Sequence, residues 1–198
     1  MQDKRDKIVS KIYDEETNSG INKKIKTAFT RNRNLPSVTL NNFFTDGFIK
    51  TIEHKFSSLQ FKHEKIADKH SYSKAKFPTT ILPKQFSNFI SAITNKKLKL
   101  ASLQALKLSK QDYTLLHDNN ISGKHLSKYL LIIDMTAEWE TSWGGELCLT
   151  NDKGEHLFVL PGYNSLTIIR QNVGIRYFIK YVNNLAKKER KMLVLRFN

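Results

Sequence analysis

The residues best equipped for chemistry are few and scattered. Six histidines stand at positions 54, 63, 70, 117, 125 and 156, and His117 opens a polar turn with Asp118, Asn119 and Asn120. An imidazole beside a carboxylate can hold a divalent metal if both enter one pocket. On a strand, however, adjacent side chains point to opposite faces and only residues two apart share one. An extended backbone therefore pairs His117 with Asn119, whereas a bulge or loop would let His117 and Asp118 converge. The separations of His54, His63 and His70 match no compact ligand pattern, so they read as surface histidines. His125 is near enough to His117 in sequence to serve as a substitute ligand. No spacing among Asp112, Asp118 and Glu146 selects an acid-base pair. Cys148 is the only cysteine, so it has no internal disulfide partner; inside an apolar strand it reads as a small buried hydrophobe, which suits a reducing compartment.

The charge balance, 33 Lys and Arg against 18 Asp and Glu, gives a net +15. The lysines cover the N-terminal third, residues 96–110 and the run at 187–191. Such a field attracts acidic proteins, nucleic acid or anionic membrane without choosing among them. Lysine without clustered arginine or interleaved aromatics is a weak nucleic-acid signature. The surface therefore reads as solvated and open to an acidic partner. No apolar run approaches the roughly 20 residues that cross a bilayer, and the first twenty residues are charged, with no secretory h-region. A soluble, cytoplasmic protein is the expectation.

These residues need a scaffold, and 198 residues suffice for one principal domain with an extension. Residues 1–34 form a basic arm in which Ile21, Ile25 and Phe29 recur at helical spacing. A strand from Ser37 leads into a helix capped by Asp46 and striped by Phe48, Ile49, Ile52, Phe56 and Leu59. The polar stretch 60–80 has no strong period and reads as a loop or lid. Pro83 starts a helix carrying Phe86, Phe89, Ile90 and Ile93, and the leucines at 98–108 mix helix and strand signals. Strands follow at 113–116, 129–133, 146–150, 156–160, 165–170, 177–182 and 191–197. Seven short strands behind helices predict an α+β fold: a jelly roll with helices on one sheet and an N-terminal helical arm. Gly144-Gly145 fits a tight bend or a close backbone approach, and Trp139 and Trp143 fit packing at the sheet edge.

The landmarks keep a telling order: a helical segment, His117-Asp118, a long apolar strand at 129–133, Trp139-x-x-x-Trp143-Gly144-Gly145-Glu146-Leu147, Pro161-Gly162-Tyr163-Asn164-Ser165-Leu166, and a basic residue before a last apolar strand. Over residues 35–198 this order resembles the Fe(II)- and 2-oxoglutarate-dependent dioxygenases, in particular their prolyl-4-hydroxylase-like branch. The resemblance implies a cupin-like double-stranded β-helix domain over 35–198. It also implies Fe(II) held by His-x-Asp and a distal histidine, with 2-oxoglutarate anchored by a late basic side chain. His117 matches the first ligand, with Asn119 in the carboxylate's place. Slipping by one residue installs Asp118 there but puts Leu116 at the histidine position. Tyr177 stands where the distal histidine is expected, and no histidine follows Asn164. Arg190 is the matching cosubstrate anchor, or else part of a solvated turn, and Arg196 is the alternative. Tyr163 either lines the pocket or closes a turn.

Two functions follow from this resemblance. One is a pseudo-oxygenase with lost or altered iron chemistry, keeping the jelly roll as a scaffold for a protein or peptide, with an acidic partner or nucleic acid drawn by the lysine surface. The other is an active hydroxylase of protein or peptide side chains, prolyl by analogy, using Fe(II) and 2-oxoglutarate at a non-standard metal site. Its ligands would be His117 with Asp118 or Asn119, completed by an unidentified group; a different ligand set, such as His117, Asp118 and a residue of the 60–80 stretch, would support another oxidative reaction.

Overall fold

The apolar periodicity of the second half of the chain is realised as two antiparallel sheets that share an interior. The computed structural model describes residues 18–115, 127–171 and 174–198. In chain order they form α1 (Asn18–Arg31), β1 (Ser37–Leu40), α2 (Asp46–Ser57), β2 (Lys62–Ile66), β3 (His70–Lys76), α3 (Lys84–Thr94), β4 (Leu100–Leu108), β5 (Tyr113–Thr114), β6 (Tyr129–Asp134), β7 (Leu147–Thr150), β8 (His156–Val159), β9 (Ser165–Arg170), β10 (Arg176–Ile179) and β11 (Arg190–Phe197). The large sheet runs β1-β9-β6-β11-β4-β3-β2, with β5 paired to β3, and the small sheet runs β10-β7-β8. This is the double-stranded β-helix expected from the sequence.

Strand alternation divides the interior in two. On β6, Tyr129, Leu131 and Ile133 join the core under the helices, while Leu130 and Ile132 join the core between the sheets. On β11, Leu193, Leu195 and Phe197 take the helical side and Met192 and Val194 the inter-sheet side. A strand covered on both faces needs apolar residues at every position, which is why 129–133 reads as an unbroken apolar run.

The helices supply the outer layer. Helix α2 buries Ile49, Ile52 and Phe56, and α3 buries Phe86, Phe89, Ile90 and Ile93. Ile25 and Phe29 of α1 enter the same core, and the Phe29 ring stacks on Tyr129 at 6.0 Å. Asn164 ties β9 to the approach to α2. Its Oδ1 accepts the Phe44 N–H and its Nδ2 donates to the Phe44 carbonyl, each at 2.8 Å. Its φ of 56° is a left-handed conformation that asparagine tolerates well.

Two expectations are corrected and one open reading is resolved. The stretch at 60–80 contains the hairpin β2-β3, whose polar side chains on both faces left no apolar period to read. The leucines from Leu100 to Leu108, whose signals are mixed, belong to strand β4, which pairs with both β3 and β11, and Leu98 precedes it. Asp46 is the first residue of α2 rather than its cap, and Thr45 takes the cap position without a side-chain bond. Among the described residues no helix is long and apolar enough to cross a membrane.

Candidate functional site

The site is built along the inner face of β11, where alternation presents Arg190, Met192, Val194 and Arg196 toward the small sheet. The Arg196 end opens into a pocket of about 80 Å³ between the sheets. Tyr177 on β10, Thr114 on β5, and Tyr72 and Gln104 on β3 and β4 give the pocket its polar lining, and Ile132, Leu147 and Met192 are among its apolar walls. Arg196 donates from its terminal Nη2 to the Tyr177 hydroxyl at 3.2 Å. Thr114 Oγ1 accepts the Ile179 N–H at 2.8 Å, fixing β10 to β5.

The Arg190 end is closed. This arginine is 1% exposed, and its Nε and Nη2 donate to Asp134 Oδ2 at 3.0 and 2.8 Å. Nη1 donates to the Gly145 carbonyl, while the other Asp134 oxygen accepts the Thr136 N–H at 2.9 Å. A buried guanidinium requires such compensation for its lost hydration. The Gly145 carbonyl is presented by the Gly144-Gly145 bend, in which both residues have φ +74°. A Cβ on Gly144 would lie 2.2 Å from the Tyr181 carbonyl oxygen, so the close approach expected for this pair is real.

The other candidates fall elsewhere. His117, Asp118, Asn119 and His125 lie outside the described residues. Tyr163 is 39% exposed and donates to Glu53 of α2 at 3.0 Å, so it sits at the helical layer and not at the inter-sheet pocket. Partial burial, and then the bond to Glu53, push its phenol pKa up. His54 and His156 are exposed. His63 lies 3.3 Å from the hydroxyls of Ser71 and Ser73, and His70 is buried with its ring centroid 4.8 Å from that of Tyr72. Asp112 is structural, accepting from Ser71 Oγ at 2.5 Å and from the Ser109 N–H at 2.8 Å. Glu146 faces Lys180 at 3.5 Å. Trp139 and Trp143 pack edge to face at 5.2 Å. Cys148 is buried, and that burial raises its thiol pKa.

Asp134 was the residue missed. Its signal was present: it ends an apolar strand two residues after Ile132, which places its carboxylate on the inner face.

Among the described residues no three His, Cys, Asp or Glu side chains group as metal ligands. Among the described residues, the inter-sheet pocket is lined by phenols, neutral polar groups and one guanidinium, and a guanidinium suits an anion.

The family model described as oxoglutarate and iron-dependent oxygenase degradation C-term matches residues 12–198. No curated protein matches the sequence. Among solved structures, an oxidoreductase of the 2OG-Fe(II) oxygenase family from Burkholderia pseudomallei aligns with a TM-score of 0.73 at 14% identity, over 89% of this chain and 90% of that one. A prolyl hydroxylase from Trichoplax adhaerens, solved with a hypoxia inducible factor oxygen degradation domain peptide fragment, gives 0.71 at 10% identity over 93% of each chain. A Pseudomonas putida prolyl-4-hydroxylase gives 0.68 at 9% identity, over 88% of this chain and 98% of its own. At these identities the likeness concerns the fold.

Proposed function

This chain belongs to the family described as oxoglutarate and iron-dependent oxygenase degradation C-term, and from that premise we propose that it is a binding module whose iron chemistry is lost or altered. The observation that carries the reading is the pair formed by Tyr177 and Arg196. A guanidinium 3.2 Å from the phenol, at the position matched to the distal metal ligand, brings a positive charge beside the place a divalent cation would take. Coulomb repulsion in a partly desolvated pocket opposes such a neighbour. The Arg190–Asp134 pair supports the same reading. A side-chain carboxylate of the protein itself engages the matched anchor, as a cosubstrate carboxylate would. What the scaffold retains is a jelly roll with a strongly basic surface, suited to a protein or peptide partner.

One observation favours an active side-chain hydroxylase instead. Arg196 puts a planar guanidinium in the pocket, and that geometry suits a carboxylate such as that of 2-oxoglutarate. Anaerobic titration of the purified protein with Fe(II), with and without 2-oxoglutarate, separates the two readings by calorimetry and by the charge-transfer absorption of the complex. The binding-module reading expects no specific Fe(II) binding. Tight binding of both ligands, abolished by His117→Ala, would overturn it.

A further inference from the structure

Two helices of the outer layer carry charge of one sign. No aspartate or glutamate lies between Glu16 and Asp46, or between Asp68 and Asp112. Those acid-free stretches contain α1 and α3, which pack against each other. With Ile25 and Phe29 of α1 turned into the core, the 3.6-residue period puts Lys23, Lys26, Thr27 and Thr30 on the outward face. All four are exposed, as are Arg31 in the last turn and Arg33 just beyond it. The hydroxyls of Thr27 and Thr30 bond carbonyls of the helix itself, so the free donors here are the cations. Helix α3 adds the exposed Lys84, and Lys96, Lys97 and Lys99, all exposed, follow its end.

Among the described residues, none of Lys23, Lys26, Arg31 and Arg33 forms an ion pair. The carboxylate met just after this stretch, Glu155, is engaged by the side-chain amides of Asn34 and Asn151. A single basic residue in a last turn only offsets the helix dipole, and Arg31 alone would mean no more. Four cations on and just after one helix repel one another, and a polyanion relieves that repulsion.

The face lacks what other partners need. Among the described residues no large apolar side chain is exposed on α1 or α3, whereas the core of a protein interface is apolar. A membrane-surface helix sinks its apolar face into lipid, and α1 already buries Ile25 and Phe29 in the protein. Single-stranded nucleic acid stacks its bases on aromatic platforms, and none is exposed here. A double helix asks only for cations along its phosphates. It carries about one negative charge per 1.7 Å of axis, so about seven lie along the roughly 12 Å from Lys23 to Arg31.

We propose that the outward face of α1, with the α3 lysines adding to its field, binds the phosphate backbone of double-stranded nucleic acid. Such contacts hold a duplex without reading its sequence. The proposal does not rest on the binding-module reading, because α1 packs on the helical side of the large sheet and the inter-sheet pocket lies on the other.

The test titrates the full chain against a fluorescent DNA duplex of about 20 base pairs, read by anisotropy between about 50 and 200 mM salt. Neutralising four phosphates gives a log-log salt slope of about −3.6, so affinity should fall on the order of 100-fold across that range. Lys23→Gln with Lys26→Gln, which keeps helix propensity, should reduce the fall to on the order of tenfold. Arg31→Gln with Arg33→Gln should do the same, so the result does not hang on one variant's folding. Lys153→Gln with Lys187→Gln removes equal charge from two exposed turns of the small-sheet side and should leave the wild-type salt dependence. An RNA duplex of the same sequence is titrated alongside, and the duplex bound more tightly identifies the source. An oligothymidylate, phosphatidylserine vesicles and polyglutamate should each bind more weakly than the duplex. No duplex binding at low salt, an equal change from the control pair, or any of these three comparators binding as tightly as the duplex would overturn the proposal.

Discussion

Two arginines stand on the same face of β11, six residues apart, and they lead different lives. Arg190 is sealed behind Asp134 and the Gly145 carbonyl, with all of its described contacts internal. Arg196 is half-buried at the lining of a pocket, bonded to a tyrosine hydroxyl. Identical side chains on one strand thus divide into a structural cation, whose partner is built into the fold, and a pocket cation with room for an anion. What distinguishes them is what the neighbouring strands bring within reach. Asp134, opposite Met192 at the end of β6, reaches the Arg190 guanidinium, whereas Arg196 is opposite Leu130 and its described pocket neighbours are tyrosines, neutral polar groups and apolar walls.

The largest effect should come from breaking the sealed pair. Asp134→Ala leaves a buried guanidinium without its counter-charge and should cost about 3–5 kcal/mol of stability in urea unfolding. The double variant Arg190→Met with Asp134→Leu, which removes both charges, should be much less damaged; equal damage would show that packing matters here and not charge. Gly144→Ala should follow at roughly 2 kcal/mol or more, since it forces a Cβ against the Tyr181 carbonyl at a positive φ and disturbs the bend that presents the Gly145 carbonyl.

The pocket end should respond weakly in stability. Tyr177→Phe removes one hydrogen bond to Arg196 and should cost about 1 kcal/mol or less. If it costs as much as Asp134→Ala, the two arginines are alike and the division above is wrong. The smallest effect belongs to the hairpin outside both sites. Glu64→Gln should change stability by no more than about 0.5 kcal/mol. The hydrogen bond from Lys74, reinforced by its charge, holds the folded-state Glu64 carboxyl below its ordinary value, while the same bond raises Lys74. A carboxyl depressed on folding stabilises above its unfolded value and loses that contribution as pH falls through its folded value. The difference between wild type and Glu64→Gln should therefore vanish in acid, which a pH series of thermal melts would reveal.

The sequence made the jelly roll readable because its central strands bury both faces. Strands β6 and β11 announce themselves as apolar runs, and the glycine pair and Asn164 mark bends, all three with positive φ. The hairpin β2-β3 was unreadable for the opposite reason: Lys62, Lys65, Lys74 and Lys76 leave neither face apolar, so no period of two survives. Tyr177 and Arg196 were visible as candidates, but their mutual bond depends on how two different sheets face each other. The pairing of Arg190 with Asp134 spans 56 residues and required the register of β6 against β11. Sequence left Tyr163 either lining the pocket or closing a turn, because only the folded chain brings its hydroxyl to Glu53 on the helical side.

The position of β11 has a consequence for how the protein is made. The last strand in the sequence lies in the middle of the large sheet, hydrogen-bonded to β6 on one side and β4 on the other. During synthesis, β4 and β6 therefore wait with unpaired inward edges until residues 190–197 leave the ribosome. Each strand edge left open is a template for wrong pairing. Nascent chains stalled before Arg190 should consequently be the species that chaperones hold and proteases cut.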